Sequence, residues 1–121
     1  MKILIIDDEA PIRKMLTKLL ERNGYDVIEA ANGNQGIRLF KEHKPEFIIT
    51  DIVMPEKEGL ESIRELKKLN PDVKIIAISG GGLVDPKMYL ALASKLGAVK
   101  TFSKPIDNEV LISAIKEISP M

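Results

Sequence analysis

The chain has 121 residues, no cysteine, and eighteen basic against eighteen acidic side chains, so its formal net charge is zero. This length fits a single domain with its own core, and the lack of cysteine excludes disulfides and thiolate metal sites. The balanced charge gives no reason to expect direct nucleic-acid binding. The apolar run Ile3–Ile6 is too short for a signal peptide or a membrane span. We therefore expect a soluble cytoplasmic protein with no membrane contact.

Short apolar runs of strand length alternate with helical patterns along the whole chain. In chain order, the predicted elements are a strand at Ile3–Ile6, a helix around Ile12–Leu20, a strand at Tyr25–Ala30, a short helix around Ile37–Phe40, a strand at Phe47–Ile49, a helix around Leu60–Leu69, a strand at Val73–Ile78, a helix from Pro86 to about Leu96, a strand at Ala98–Phe102 and a last helix around Leu111–Ile118. Pro11, Asp85 and Asp107 are typical of helix starts. Gly24 and Gly97 are typical of helix ends.

This alternation predicts an α/β fold with a five-stranded parallel sheet and helices on both faces. The first, third and fourth apolar runs are the most continuous, which is typical of strands buried on both faces, so these strands should be central. The second and fifth runs are more mixed and should form the edges. The expected architecture is doubly wound and flavodoxin-like, with strand order 2-1-3-4-5, and its ligands should bind at the carboxyl ends of the strands.

Polar side chains follow four of the predicted strands. Asp7 and Asp8 follow the first strand, Asp51 the third, Ser79 the fourth and Lys104 the fifth. Carboxylates gathered at one edge of a sheet repel each other unless a cation or a proton intervenes, and their hard oxygen atoms suit Mg²⁺. Asp51 is then a candidate nucleophile that forms an aspartyl phosphate, while Lys104 and Ser79 could bind the transferred oxygens.

Four pieces of the sequence carry a resemblance to a known family. They are Ile5–Glu9, Asp51–Pro55 with Gly59, Ile78–Gly80 and Ser103–Pro105. In this order, and each at its expected strand end, they resemble the signature of the receiver domains of two-component response regulators, of the chemotaxis-regulator type. The resemblance covers essentially the whole chain and identifies residues 1–121 as one receiver domain, without an effector domain.

The resemblance implies that a sensor histidine kinase or a phosphotransfer protein phosphorylates Asp51 in a Mg²⁺-dependent reaction. Asp8 and Asp51 would bind the metal ion directly, and Asp7 would bind it through a water molecule. The backbone carbonyl of Val53 would complete the protein ligands. The domain would act as a switch or as a phosphorelay intermediate, and it would catalyse only its own phosphoryl transfer and dephosphorylation.

The same resemblance gives Ser79 and Lys104 the task of recognising the phosphoryl group, and it implies a cis bond between Lys104 and Pro105. Many receivers carry an aromatic switch residue three positions before the lysine. Here that position is Thr101, and strand alternation should turn the neighbouring Phe102 to the opposite face. The sequence therefore departs from the aromatic-switch pattern.

The switch is expected to reach an unknown downstream protein through the face formed by the fourth helix, the fifth strand and the fifth helix. The domain would be a monomer or a phosphorylation-dependent dimer. Gly80–Gly82 should form a loose loop whose ordering upon phosphorylation costs conformational entropy.

Three other functions use similar residues. A haloacid-dehalogenase-like phosphohydrolase would need an Asp-x-Asp motif after the first strand, where this chain has Asp7-Asp8-Glu9. A flavodoxin-like cofactor binder would need a phosphate-binding loop there, and the two aspartates would repel phosphate. A degenerate receiver that serves only for docking would lack key residues that this chain retains.

Overall fold

Strands and helices alternate strictly in the computed structural model, which describes residues 1–52, 59–79 and 86–118. The strands are β1 (Lys2–Ile6), β2 (Asp26–Ala30), β3 (Phe47–Asp51), β4 (Lys74–Ser79) and β5 (Lys100–Ser103). The helices are α1 (Ala10–Arg22), α2 (Gly33–His43), α3 (Gly59–Leu69), α4 (Pro86–Leu96) and α5 (Asn108–Ile118). None of the helices within these ranges is both long and apolar enough to cross a membrane.

The strands form one parallel sheet in the order β2-β1-β3-β4-β5, which confirms the predicted flavodoxin-like topology. Every residue of β3 is buried, as is every residue of β1 and β4 after the first. The edge strands β2 and β5 are mostly half-buried or exposed. The continuous apolar runs thus belong to central strands, because these strands have a packed layer on each face.

Two cores lie on opposite faces of the sheet. Alternate strand residues face α2, α3 and α4 on one side, where the buried set includes Leu4, Ile6, Ile48, Ile75 and Ala77. The intervening residues face α1 and α5, and this buried set includes Ile3, Ile5, Phe47, Ile49, Ile76 and Ile78. Almost all of these side chains are aliphatic, as expected for a chain with few aromatic residues.

Two helix ends shift strand boundaries from their predicted positions. After α1, the backbone N–H of Tyr25 donates to the oxygen of Leu20 at 3.1 Å, and Gly24 has φ of +88°. After α4, the N–H of Ala98 donates to the oxygen of Ala93 at 3.0 Å, with φ of +120° at the intervening glycine. Both ends are Schellman motifs, so Tyr25 and Ala98 belong to helix termination and the strands begin later.

Side chains cap two helix starts. Asn32 Oδ1 accepts the N–H of Gln35 at 2.8 Å at the start of α2. Asp107 Oδ1 accepts the N–H groups of Glu109 and Val110 at 2.9 and 3.2 Å, which confirms the predicted cap of α5. The predicted cap Asp85 lies outside the described residues.

Gly36 allows α2 to lie directly against the end of β1. A Cβ atom at this position would lie 2.5 Å from Cδ1 and 2.9 Å from Cγ1 of Ile6. Ile6 is fully buried, so its side chain has little room to move away. Because Ile6 directly precedes Asp7, this close packing helps to set the point at which the acidic residues leave the sheet.

We predict that Gly36→Ala lowers the free energy of unfolding by about 1 kcal/mol, because overpacking costs ~1–3 kcal/mol and the helix propensity of Ala returns up to ~1 kcal/mol. Ile6→Val removes the methyl group that the new Cβ would meet. Urea unfolding of the double variant should therefore show a smaller loss of stability than the sum of the two single losses. Additive losses would contradict the close contact.

Candidate functional site

The carboxyl ends of β1, β3, β4 and β5 bring the predicted site residues to one edge of the sheet. Asp7 directly follows β1, Asp51 ends β3, Ser79 ends β4 and Lys104 directly follows β5. The parallel register pairs Asp51 with Ile78 and thus places Ser79 one step further along the neighbouring strand. Asp7, Asp51 and Ser79 are all buried, although each is polar.

Lys104 is the cation at the centre of this edge. Its Nζ atom lies 2.9 Å from Asp51 Oδ2, 3.0 Å from Glu9 Oε1 and 3.1 Å from Asp7 Oδ2. Only 12% of the lysine side chain and 4% of the Asp51 side chain are exposed to solvent. One ammonium group therefore holds together carboxylates from the ends of β1 and β3.

The two carboxylate oxygens of Asp7 have different surroundings. Oδ1 accepts the backbone N–H of Glu9 at 2.8 Å. Oδ2 is buried and forms no hydrogen bond within the described part of the chain, because its contact with Lys104 is an ion pair without hydrogen-bond geometry. A buried carboxylate oxygen that lacks a directed donor is available to a metal ion or to a metal-bound water molecule.

The charges at this edge shift two pKa values. Burial raises the pKa of the Asp7 carboxyl above its usual value, and the negative charge of Asp51 adds to the rise, while the Glu9 N–H and Lys104 oppose it. Burial disfavours the Lys104 ammonium, but the hydrogen bond and charge of Asp51, together with Glu9 and Asp7, outweigh it and raise the pKa of Lys104. The lysine therefore stays positively charged at neutral pH.

Four acidic residues can each direct an oxygen atom to a common point. Asp7, Asp8, Glu9 and Asp51 offer carboxylate oxygens that all lie within 4.8 Å of one another. Asp7 and Asp51 are buried, whereas Asp8 and Glu9 are exposed. An all-oxygen donor set in which one buried oxygen can still accept a hydrogen bond fits Mg²⁺, which keeps several water molecules when proteins bind it. Val53, the predicted carbonyl ligand, lies outside the described residues.

A family model described as response regulator receiver domain matches residues 3–116. The chain belongs to this family. Chemotaxis protein CheY of Thermotoga maritima is 35% identical to it over 98% of this chain and 97% of that protein. The structure is similar to that of a receiver domain protein of Clostridium thermocellum, with a TM-score of 0.88 and 36% identity over 96% of this chain and 91% of that chain.

A third relative is a response regulator of Burkholderia pseudomallei, whose solved structure contains a phosphorylated aspartic acid, a calcium ion and citrate. Its TM-score is 0.83 at 31% identity, with 93% of this chain and 65% of that chain covered. Receiver domains are signalling switches that take phosphoryl groups from histidine kinases or phosphotransfer proteins and bind Mg²⁺ at an acidic pocket. The family assignment therefore favours the receiver function over the phosphohydrolase and cofactor-binding alternatives.

The fifth strand of the receiver domain carries the departures from the aromatic-switch pattern. Thr101 pairs with Ala77, which belongs to the core beneath α2, α3 and α4. Phe102 packs on the other core, beneath α1 and α5. The two side chains thus lie on opposite faces, as strand alternation predicts. The bond between Lys104 and Pro105 is cis, in agreement with the resemblance.

The structure adds two residues that the sequence did not single out. Glu9 pairs with Lys104 at the acidic edge, and the only sequence signal for it was its position directly after the aspartate pair. Arg13 donates from Nη1 to the backbone oxygen of Asp7 at 2.8 Å. In the sequence, the only sign of a role for Arg13 was that a charged residue lies among the apolar positions of α1. The predicted glycine loop Gly80–Gly82 lies outside the described residues.

We predict that Asp7→Asn makes the metal-free receiver more stable at pH 7. The folded-state pKa of Asp7 is raised, so a proton on this carboxyl stabilises the folded protein. This contribution is complete below the unfolded pKa of about 3.8, and it is lost as the pH rises through the folded pKa. The asparagine still offers Oδ1 to the Glu9 N–H. Urea unfolding with EDTA should therefore show a gain at pH 7 that shrinks towards pH 3.

Asp72→Asn is the matched control, since Asp72 is exposed in the turn before β4. It should show no comparable gain that depends on pH. An equal stability difference between wild type and Asp7→Asn at both pH values would contradict the assignment of the effect to the Asp7 proton.

Proposed function

We propose that Asp51 of this receiver domain accepts a phosphoryl group from a histidine of a sensor kinase or of a phosphotransfer protein, in a reaction that requires Mg²⁺. The observation that supports this most is the buried Asp51 carboxylate at 2.9 Å from the Lys104 ammonium, beside an Asp7 oxygen whose described contact is an ion pair with the same ammonium. The phosphorylated aspartic acid in the similar B. pseudomallei protein supports the same assignment.

In this reaction an oxygen of the Asp51 carboxylate attacks the phosphorus atom. A P–O bond forms, the P–N bond to the donor histidine breaks, and the electron pair of that bond leaves with the imidazole. The phosphoryl group brings negatively charged oxygens into a site where Lys104 already holds a positive charge. Because the Lys104 and Asp51 side chains are mostly buried, the attraction between these charges is stronger than in bulk solvent.

Asp8 and Asp51 would bind Mg²⁺ directly, and Asp7 would bind it through a water molecule. The backbone carbonyl of Val53 is the further ligand that the family resemblance implies. When bound, the ion offsets the negative charge of the carboxylates and of the incoming phosphoryl oxygens. Lys104 by itself brings a single positive charge to three carboxylates within 3.1 Å, so a divalent cation would complete the charge balance.

Ser79 and Lys104 would carry the signal away from Asp51. The backbone oxygen of Ser79 accepts the N–H of Lys104 at 2.8 Å, so the ends of β4 and β5 are already linked. A phosphoryl group that draws the Ser79 hydroxyl and the Lys104 ammonium towards itself would displace these two strand ends together. Thr101 on β5 is half-buried. It is the candidate residue whose side chain would change position with this displacement, in place of an aromatic side chain.

The output of the switch would be a contact with another protein through α4, β5 and α5, or the onward transfer of the phosphoryl group in a relay. Phosphorylation could also shift the domain from monomer to dimer. In this function residues 1–121 work as one unit, and the chemistry acts only on their own Asp51.

We predict that acetyl phosphate with Mg²⁺ adds one phosphoryl group to the wild-type protein, as measured by intact mass. Asp51→Asn should gain none, and neither should wild type in EDTA. Asp72→Asn, with an exposed carboxylate far along the chain from Asp51, should be modified like wild type. An adduct that persists in Asp51→Asn would rule out Asp51 as the acceptor.

An absent adduct in wild type would leave three explanations: a domain that serves only for docking, hydrolysis too fast to trap the adduct, or strict dependence on a kinase. Beryllofluoride binds as a phosphoryl analogue without transfer, so chemical-shift changes at Asp51, Ser79 and Lys104 upon its addition with Mg²⁺ would indicate a competent receiver and leave the last two explanations. Unchanged spectra would support the alternative of a domain that serves only for docking.

A further inference from the structure

Arg13 on α1 is tied to the turn that carries the acidic residues. Its Nη1 atom donates a hydrogen bond of 2.8 Å to the backbone oxygen of Asp7, and its Nε atom donates one of 3.2 Å to Oε1 of Glu29 on β2. The side chains of Arg13 and Glu29 are 16% and 24% exposed. The guanidinium thus joins α1, the end of β1 and the edge strand β2 at a mostly buried position.

The hydrogen bond from Arg13 fixes the orientation of one particular peptide group. The carbonyl of Asp7 belongs to the planar peptide that connects Asp7 to Asp8, so a donor on this oxygen fixes the rotation of the whole plane. On its other side, the N–H of Asp7 donates to the oxygen of Ala30 at 3.1 Å. With both peptides that flank Asp7 held, the direction in which its side chain leaves the backbone is defined, and the peptide plane that leads into Asp8 is fixed.

Glu29 controls where the guanidinium can point. Arginine carries five donors in a planar fork, and four carboxylates lie just beyond the Asp7 peptide that it contacts. The Glu29 carboxylate takes the Nε donor and also lies 3.4 Å from Lys14 Nζ. With one donor on Glu29 and another on the backbone oxygen of Asp7, the guanidinium is held on the backbone of the turn and not on its carboxylates.

We propose that Arg13 and Glu29 form a positioning pair that orients the Asp7–Asp8 peptide for a divalent cation. The inference rests on the Mg²⁺ binding proposed above, and it assigns a role to two residues that do not contact the ion. Partners that orient metal ligands from outside typically change metal affinity by about 10- to 100-fold when they are lost.

The Arg13→Lys variant tests the hydrogen-bond geometry of Arg13 separately from its positive charge. The variant keeps the positive charge, but a single ammonium cannot reproduce the rigid fork that bonds Asp7 and Glu29 together. We predict that its dissociation constant for Mg²⁺ rises about 10-fold, near the lower end of the effects seen for such outer partners. The measurement is a titration of the 121-residue protein with MgCl₂, followed by the amide chemical shifts of Asp7, Asp8 and Asp51.

Arg22→Lys is the matched control, because it makes the same chemical change at the exposed end of the same helix. Its affinity for Mg²⁺ should equal that of wild type. Wild-type affinity in Arg13→Lys, with a folded spectrum, would overturn the positioning role and leave the proposed function intact. Failure of wild type itself to bind Mg²⁺ would overturn both.

If Arg13→Lys loses its dispersed amide spectrum, Glu29→Gln provides a second test. It keeps the size of the side chain and removes the charge that directs the guanidinium. We expect Mg²⁺ binding that is weaker than in wild type both at low salt and in about 0.5 M NaCl, where charge effects that act through the solvent are reduced. Affinity equal to wild type, or a loss that disappears in salt, would contradict the positioning role.

Discussion

The site depends on one buried ammonium group that faces more negative charge than it can balance. Lys104 lies within 3.1 Å of three carboxylates, and the two buried ones come from strands that are adjacent in the sheet but far apart in sequence. Burying carboxylates is costly unless opposite charge accompanies them. The single charge of Lys104 leaves this edge of the sheet with an excess of negative charge, and burial, with a smaller addition from the charge of Asp51, raises the pKa of Asp7.

The rest of the fold keeps this edge in place. The central strands β1, β3 and β4 are packed on both faces by aliphatic side chains, which hold the backbones that end in Asp7, Asp51 and Ser79. Two further contacts fix the position of Asp7 more closely. Gly36 brings α2 against Ile6, and Arg13 donates a hydrogen bond to the backbone oxygen of Asp7. Asp51 and Ser79 are the last residues of buried strands, and Asp7 and Lys104 directly follow strands, so rigid elements position all four groups.

Most of the architecture could be predicted from the sequence because its signals are local. Apolar periodicity gave ten elements, the continuity of the apolar runs separated central strands from edges, and the polar residues after each strand located the site. The predicted starts of the second and fifth strands were wrong because one backbone hydrogen bond overrides the local preference for a strand. Tyr25 and Ala98 have strand-like neighbours, but their N–H groups bond the ends of α1 and α4. The pairing of Glu9 with Lys104 joins residues 95 positions apart, which no spacing rule reveals.

The lysine of the site follows an edge strand, and this position has a mechanical consequence. Within the described part of the chain β5 is paired with β4 alone, so a displacement of the ends of β4 and β5 leaves the pairing between β1 and β3 undisturbed. In the function proposed above, phosphorylation would take place among the central strands, and the displacement would reach the edge of the sheet through β5. Sequence changes on β5, α4 and α5 would then alter the downstream partner without changing Asp7, Asp51 or Ser79, so that one set of site residues would serve many separate signals.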